Sequence, residues 1–265
     1  MSLLVDGQTD KGIARENNED NLIIDADIGL FAVADGVGGH SSGEIASKIA
    51  LEVLRDYLIR VSSNSDVTIG KFDDRYSAMS NRLASGIRLS NQVIYESSKN
   101  NASLKGMGTT IAAVLYNDDK LSIAHAGDSR VYLIRGDSIS QLTDDHSVVS
   151  EQVKRGLITK EEAEKSNMRN IITRALGQME SVDVDMSEID VMDNDRIVLC
   201  TDGLTTMVSE EVILSVVNTM NEPKGACKTL IDAANNNGGR DNITVIVIYF
   251  RKDKLFSHIK KLFRS

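Results

Sequence analysis

Asp20-Asn21-Leu22-Ile23-Ile24-Asp25-Ala26-Asp27-Ile28-Gly29-Leu30-Phe31-Ala32-Val33-Ala34-Asp35 reads as a β-hairpin. Two short apolar runs, 21–25 and 30–34, flank the turn-rich segment Asp25–Gly29. The turn centres near residues 27–28, and residues equidistant from it face each other across the ladder. Asp20 is therefore expected opposite Asp35 at the open end. Like charges so placed destabilise a sheet unless something cationic binds between them.

Outward from the hairpin, 41–62 has helical spacing. Ile45, Ile49 and Val53, with Ala46, Ala50, Leu54, Tyr57 and Leu58, make one apolar face, and Ser41 or Ser42 is the N-cap. Residues 62–74 are a polar loop. A second helix runs from about Arg75 to Lys99, with Tyr76, Leu83, Ile87 and Ile94 inward. Strands return at 109–116, 120–126 and 130–135, and Gly136-Asp137 closes another hairpin. Residues 146–178 read as a polar, mostly helical excursion with little to anchor a core, and Thr159 and Glu162 form a capping box. A strand at 195–201 and helices at 209–218 and 223–235 follow. The strand 243–250 is apolar throughout, hence central and covered on both faces. Strands cluster and helices come in consecutive pairs, which predicts α+β layers around largely antiparallel sheet.

The 265 residues suffice for one large domain or two small ones. A hydrophobic content of 41% excludes a disordered chain, and no apolar run approaches a bilayer span. The first ten residues lack a secretory pattern, and two cysteines, Cys200 and Cys227, fit free thiols in a reducing cytoplasm. A net charge of −9 is a poor match for nucleic acid and suits either solubility or a site that gathers hard cations. The segment 251–265 is basic and amphipathic. It reads either as a docking element for a membrane or partner, or, preferably, as a terminal helix packed on its own domain.

Four strand ends carry an Asp beside a small residue: Asp35-Gly36, Gly127-Asp128, Asp202-Gly203 and Asp241-Asn242. Each alone reads as a turn. Together they say more. Asp202 ends one strand and Asp241 begins the next, so an antiparallel pairing puts both at one edge. A hairpin turning near Asp118 returns Asp128 beside Gly108 and Thr109. A simple layout thus collects Asp20, Asp35, Asp128, Asp202 and Asp241 at one rim. Oxygen donors select Mg²⁺ or Mn²⁺ over zinc, and several carboxylates suggest two ions. A P-loop is absent, Gly36-Val37-Gly38-Gly39-His40-Ser41 is only half a dinucleotide fingerprint, and neither cysteine is followed by a phosphate-loop arginine.

Eight motifs in order carry a family resemblance: Gly12-x-x-Arg15-x-x-Asn18-Glu19-Asp20, Ala34-Asp35-Gly36-Val37-Gly38-Gly39-His40, Gly106-Met107-Gly108-Thr109-Thr110, Ala126-Gly127-Asp128-Ser129-Arg130, Leu142-Thr143-x-Asp145-His146-Ser147, Ile172-Thr173-Arg174-Ala175-Leu176-Gly177, Thr201-Asp202-Gly203-Leu204 and Gly239-x-Asp241-Asn242-Ile243-Thr244. The chain resembles the PPM, or PP2C-type, serine/threonine protein phosphatases in their bacterial form, from about Gly7 to Phe250. Val37, where Met is usual, and Ala126, where Val is common, depart from the pattern without removing a ligand.

The resemblance implies a four-layer αββα sandwich, two central antiparallel sheets between helix pairs, as a single phosphatase domain over 1–250 with a flap at about 144–176. It implies that Asp35 bridges two Mn²⁺ or Mg²⁺ ions and the Gly36 carbonyl completes one. Asp202 and Asp241 would hold the other, with Glu19 and Asp20 assisting through water. Asp128, with Asp202, would bind a third ion. Arg15 would grip the substrate phosphate; on spacing alone it reads as a surface ion pair with Glu16 or Glu19. Water activated between the metals would attack phosphorus in line, with no covalent enzyme intermediate. His40 is a candidate proton donor or, alternatively, a cap for the helix starting near Ser41. The expected partners are phosphorylated proteins opposite a bacterial serine/threonine kinase, acted on by a cytoplasmic monomer. The rival readings are a non-catalytic member of the fold and a two-metal nuclease or phosphodiesterase. The retained Asp35, Asp202 and Asp241 argue against the first, and the acidic charge against the second.

Overall fold

The computed structural model describes residues 1–38, 42–62 and 68–252. His40, Ser41 and most of the basic segment 251–265 lie outside the described residues.

Two antiparallel sheets stack face to face. One has the order β1 (Ser2–Asp10), β11 (Ile243–Arg251), β10 (Arg196–Cys200), β7 (Arg130–Arg135), β8 (Ser138–Gln141). The other runs β2 (Asp20–Asp25), β3 (Leu30–Val37), β5 (Ile111–Asn117), β6 (Lys120–Ala126), β9 (Asp185–Asp190), with β4 (Gly108–Thr109) on β3. Helices α1 (Ser42–Ser62) and α2 (Ala78–Asn100) cover the second sheet. Helices α6 (Glu210–Thr219) and α7 (Pro223–Asn236) cover the first, beside the short α5 (Asp202–Thr205). The four layers are the αββα sandwich that the family resemblance implies, and they bear out the α+β layers read from the pattern of elements.

Strand alternation divides the apolar side chains among three cores. In β3, Leu30, Ala32 and Ala34 meet α1 and α2, while Phe31 and Val33 point to the other sheet. In β11, Val245, Val247 and Tyr249 face the helices, and Ile246, Ile248 and Phe250 fill the space between sheets. That is why 245–250 is apolar without interruption: the strand is central, between β1 and β10, and is covered on both faces. Each such buried side chain contributes about 1.5–3 kcal/mol. Gly7 sits where the sheets approach, and a Cβ there would lie 2.9 Å from Ile24 and 3.0 Å from Ile246.

The hairpin registers follow turn chemistry. Asp20 pairs with Asp35. Asp118 and Asp119 both adopt positive φ between the paired Asn117 and Lys120, the tight turn that matches strand twist.

Several expectations need correction. β1 and β9 are strands that the hydrophobic pattern did not announce. Both are edge strands, partly exposed and charged, so they lack a continuous apolar run. Residues 146–178 are mostly not helical: α3 (Val148–Lys154) and α4 (Lys160–Glu164) are short, and the remainder is turn and bridge. Nor is the stretch without anchors, since Val149, Ala175 and Leu176 are buried and Leu176 exchanges backbone hydrogen bonds with Thr109. The capping box at Thr159 is present. Ile45 is exposed rather than inward, because the buried face of α1 is centred on Ala46, Ala50, Leu54 and Leu58. Helix α2 starts at Ala78, capped by Ser77, three residues later than the pattern placed it. Among the described residues no helix is long and apolar enough to cross a membrane.

Candidate active site

The carboxylates gather where the sheets' rims meet. Asp20 opens β2 and Asp35 lies near the end of β3. Asp202 follows β10, and Asp241 lies two residues before Ile243, the first residue of β11, which is antiparallel to β10. Asp128 lies in the tight connection between β6 and β7.

Asp20 is buried and joins the two sheets: its Oδ2 accepts hydrogen bonds from Thr201 Oγ1 and Thr244 Oγ1, each at 2.8 Å. Its Oδ1 has no partner, and neither has the buried Oδ1 of Asp202. The Asp35 backbone is fixed from β4 and Thr110. Its carbonyl accepts from Thr110 N at 2.9 Å and Thr109 Oγ1 at 2.8 Å. Gly36 N donates to Glu19 O at 3.2 Å. A Cβ on Gly36 would fall 2.3 Å from Gly43 O and 2.6 Å from Glu19 O, so the chain passes here only as glycine. Gly127 has φ +114, and a Cβ would strike Thr110 at 2.5 Å. That close passage brings the mostly buried Asp128 to the rim.

Crowding shows in the acid–base behaviour. Burial first, then the charges of Asp20, Asp202, Asp128 and Asp241, raises Asp35 well above the usual carboxylate range. Burial raises Asp20 to about 7 against the pull of its two threonines. Burial, then Asp202 and Asp145, raises Asp128 to about 7. Burial, then Asp241, raises Asp202 to about 6. Five acidic groups and two orphaned buried oxygens make a donor set whose chemistry suits hard divalent cations. The donor set fits such ions on its chemistry alone.

Arg15 stands at the edge of this group. Its Nη2 donates to Asp241 Oδ2 at 2.7 Å, so its ion pair is with Asp241 and not with Glu16 or Glu19. The Glu19 carboxylate lies against Gly43 in the first turn of α1. The structure therefore brings together Asp20, Asp35, Gly36, Asp128, Asp202, Asp241, Glu19 and Arg15.

Sequence reasoning passed over the supports. Thr201 and Thr244 hold Asp20 from residues far along the chain; the available signal was a buried polar threonine inside the apolar run 243–250. Arg130 forks onto Asp145, with contacts of 2.9 Å at Nε and 2.7 Å at Nη2, and donates to Tyr132. His146 accepts from Gly127 N through Nδ1 at 3.0 Å, which leaves Nε2–H to face Asp185 at 3.2 Å.

His125, His146 and Asp185 also lie close enough together to suggest a metal. Their geometry argues otherwise. The imidazoles stack at 4.7 Å and 7°, so their in-plane lone pairs run side by side rather than converging, and Arg174 already donates to Asp185 at 2.7 Å. Both cysteines are buried, with thiols pushed up to about 12 by burial, so neither is a nucleophile. A cavity of about 880 Å³ lies at the opposite ends of the hairpins, lined by Met1, Ile28, Gly29 and Asn117–Asp119.

The protein phosphatase 2C family model matches residues 4–243. Protein phosphatase PhpP of Streptococcus pneumoniae is 35% identical over 251 residues, covering 92% of this chain and 96% of that protein. The crystal structure of the Mycobacterium tuberculosis serine/threonine phosphatase PstP/Ppp superposes with a TM-score of 0.83 at 33% identity, covering 94% and 99% of the two chains. The catalytic domain of the serine/threonine protein phosphatase PstP in complex with two manganese ions superposes with a TM-score of 0.79 at 33% identity, covering 95% and 100%. The full fold, the oxygen-donor rim and these likenesses agree: the chain belongs to the protein phosphatase 2C family of metal-dependent serine/threonine protein phosphatases.

Proposed function

We propose that this chain hydrolyses phosphoserine and phosphothreonine in proteins at the carboxylate rim, with Asp35, the Gly36 carbonyl, Asp202 and Asp241 as ligands of two Mn²⁺ or Mg²⁺ ions. Asp128 with Asp202 would hold a third, and Glu19 and Asp20 would assist through water. The observation that carries the reading is the convergence of Asp20, Asp35, Asp128 and Asp202, each with its proton affinity raised by burial and by its neighbours. Bound divalent ions supply Lewis acidity and activate water near neutral pH.

The chain's own groups do the rest. Thr201 and Thr244 keep one Asp20 oxygen occupied and leave the other available. Arg15, at the rim and half exposed, offers a planar fork that matches two phosphate oxygens. The buried thiols fit hydrolysis without a covalent phosphoenzyme. His40, the candidate proton donor, lies outside the described residues. The segment 144–176, tied to β4 through Leu176 and to Gly127 through His146, serves as a flap on the single domain 1–250. The substrates are phosphoproteins made by a bacterial serine/threonine kinase, met in the cytoplasm by a monomer.

Calorimetric titration of Mn²⁺ tests the ligand set. The wild-type protein is expected to take up at least two ions, and Asp35→Asn to lose more than one, because Asp35 would be a ligand of both. Full binding by Asp35→Asn rejects the assignment.

A further inference from the structure

We propose that Asn242 is the positioning residue that sets Arg15 for phosphate binding. The inference rests on the reading of Arg15 as the phosphate-gripping group. Arg15 lies on the connection 11–19, which leaves β1 in one sheet and enters β2 in the other. Asn242, just before β11 and buried, sits beneath this crossing. Its Nδ2 donates to Lys11 O at 2.9 Å and to Asn17 O at 2.8 Å, and its Oδ1 accepts from Glu19 N at 2.8 Å. One side chain therefore pins both stems of the loop. Gly239 O pins the near side by accepting from Ile13 N at 2.8 Å and Ala14 N at 3.0 Å. Gly12, at φ +76, passes so close that a Cβ would lie 2.2 Å from Asp241 O.

Arg15 needs such a base. Its side chain is 55% exposed, and its ion pair is a single contact with Asp241. An exposed arginine gains little from one such pair and is ordered chiefly by where its backbone stands. The amide is specific to the task, because it combines two donors and an acceptor at one length. Asp at 242 keeps the acceptor for Glu19 N but turns a carboxylate toward two carbonyls. Ala leaves all three backbone groups unpaired.

The test is a double-mutant cycle of Arg15→Ala and Asn242→Ala in the Mn²⁺-saturated protein. The readouts are kcat and KM on a phosphothreonine peptide, calorimetric affinity for inorganic phosphate, and Mn²⁺ stoichiometry. Asn242→Asp, which preserves volume and the acceptor for Glu19 N, repeats the cycle with only the two donors to Lys11 O and Asn17 O removed. Asn242→Ala is expected to raise KM and weaken phosphate about tenfold, the scale of lost buried amide contacts, with Mn²⁺ stoichiometry intact. In the Arg15→Ala background the same substitution is expected to have less than about a twofold effect, because contacting or linked residues are non-additive. Fully additive losses, or an impaired Arg15→Ala beside an unimpaired Asn242→Ala, overturn the clamp alone. Wild-type KM and phosphate affinity in Arg15→Ala overturn the role of Arg15, and the clamp with it.

Discussion

Asp20 and Asp35 face each other across β2 and β3 at the rim where the two sheets meet, and only Asp20 is offset by hydroxyl donors from the other sheet. Thr201 and Thr244 donate to Asp20, whereas Asp35 meets the charges of Asp20, Asp202, Asp128 and Asp241. Such crowding of buried carboxylates lowers the stability of the metal-free fold. Its consequences are measurable without substrate.

The first concerns pH. Asp20 and Asp128 are raised to about 7 and Asp202 to about 6, against about 3.9 in an unfolded chain. Between roughly pH 4 and 7 the metal-free native state therefore binds more protons than the unfolded state. Stability must then fall as pH rises through that window. Protein stripped with EDTA is expected to melt several degrees higher at pH 5.5 than at pH 7.5, and Mn²⁺ is expected to reverse the order. A metal-free melting temperature that climbs with pH contradicts the crowded rim.

The second concerns metal and stability. Ions that bind only the folded state add about 2.7 kcal/mol at a hundredfold excess over Kd. For a chain of this size that is roughly 5–10 °C in Tm. Differential scanning calorimetry with and without Mn²⁺ at pH 7.5 reads it directly, and an unchanged Tm counts against the site.

The third concerns the threonine supports. Thr244→Val keeps the shape of a buried β-branched residue and removes one donor to Asp20. Groups that orient the ligands of a metal site are worth about 10–100-fold in affinity. A drop toward the lower figure is expected by calorimetry, with the protein still folded. Equal affinity in the variant would show that Asp20 needs no such bracing.

The fourth concerns Gly36. A methyl there would press on two carbonyl oxygens, Gly43 O and Glu19 O. Gly36→Ala is expected to cost about 1–3 kcal/mol from overpacking and to remove most activity. A folded, fully active variant rejects the close passage.

Much of this arrangement was legible in the sequence. Turn symmetry alone put Asp20 opposite Asp35, and the apolar run 243–250, polar only at Thr244, identified β11 as a central strand. The edge strands β1 and β9 were not legible, because exposed charged strands carry no strong period. The supports of the site were hidden for a different reason. Thr201 and Thr244 reach Asp20 across 181 and 224 residues, and local pattern cannot encode a contact between sheets. Asn242 was visible as a neighbour of Asp241, but its three hydrogen bonds appear only when the 11–19 crossing is folded over it.

The most direct test of the central claim is the initial rate of phosphothreonine-peptide hydrolysis by EDTA-stripped protein, before and after Mn²⁺, for the wild type and Asp202→Asn. The account predicts turnover only in the wild type with Mn²⁺, and a folded Asp202→Asn reduced by at least about a hundredfold. Turnover by the stripped wild-type protein, or full activity in Asp202→Asn, would contradict it.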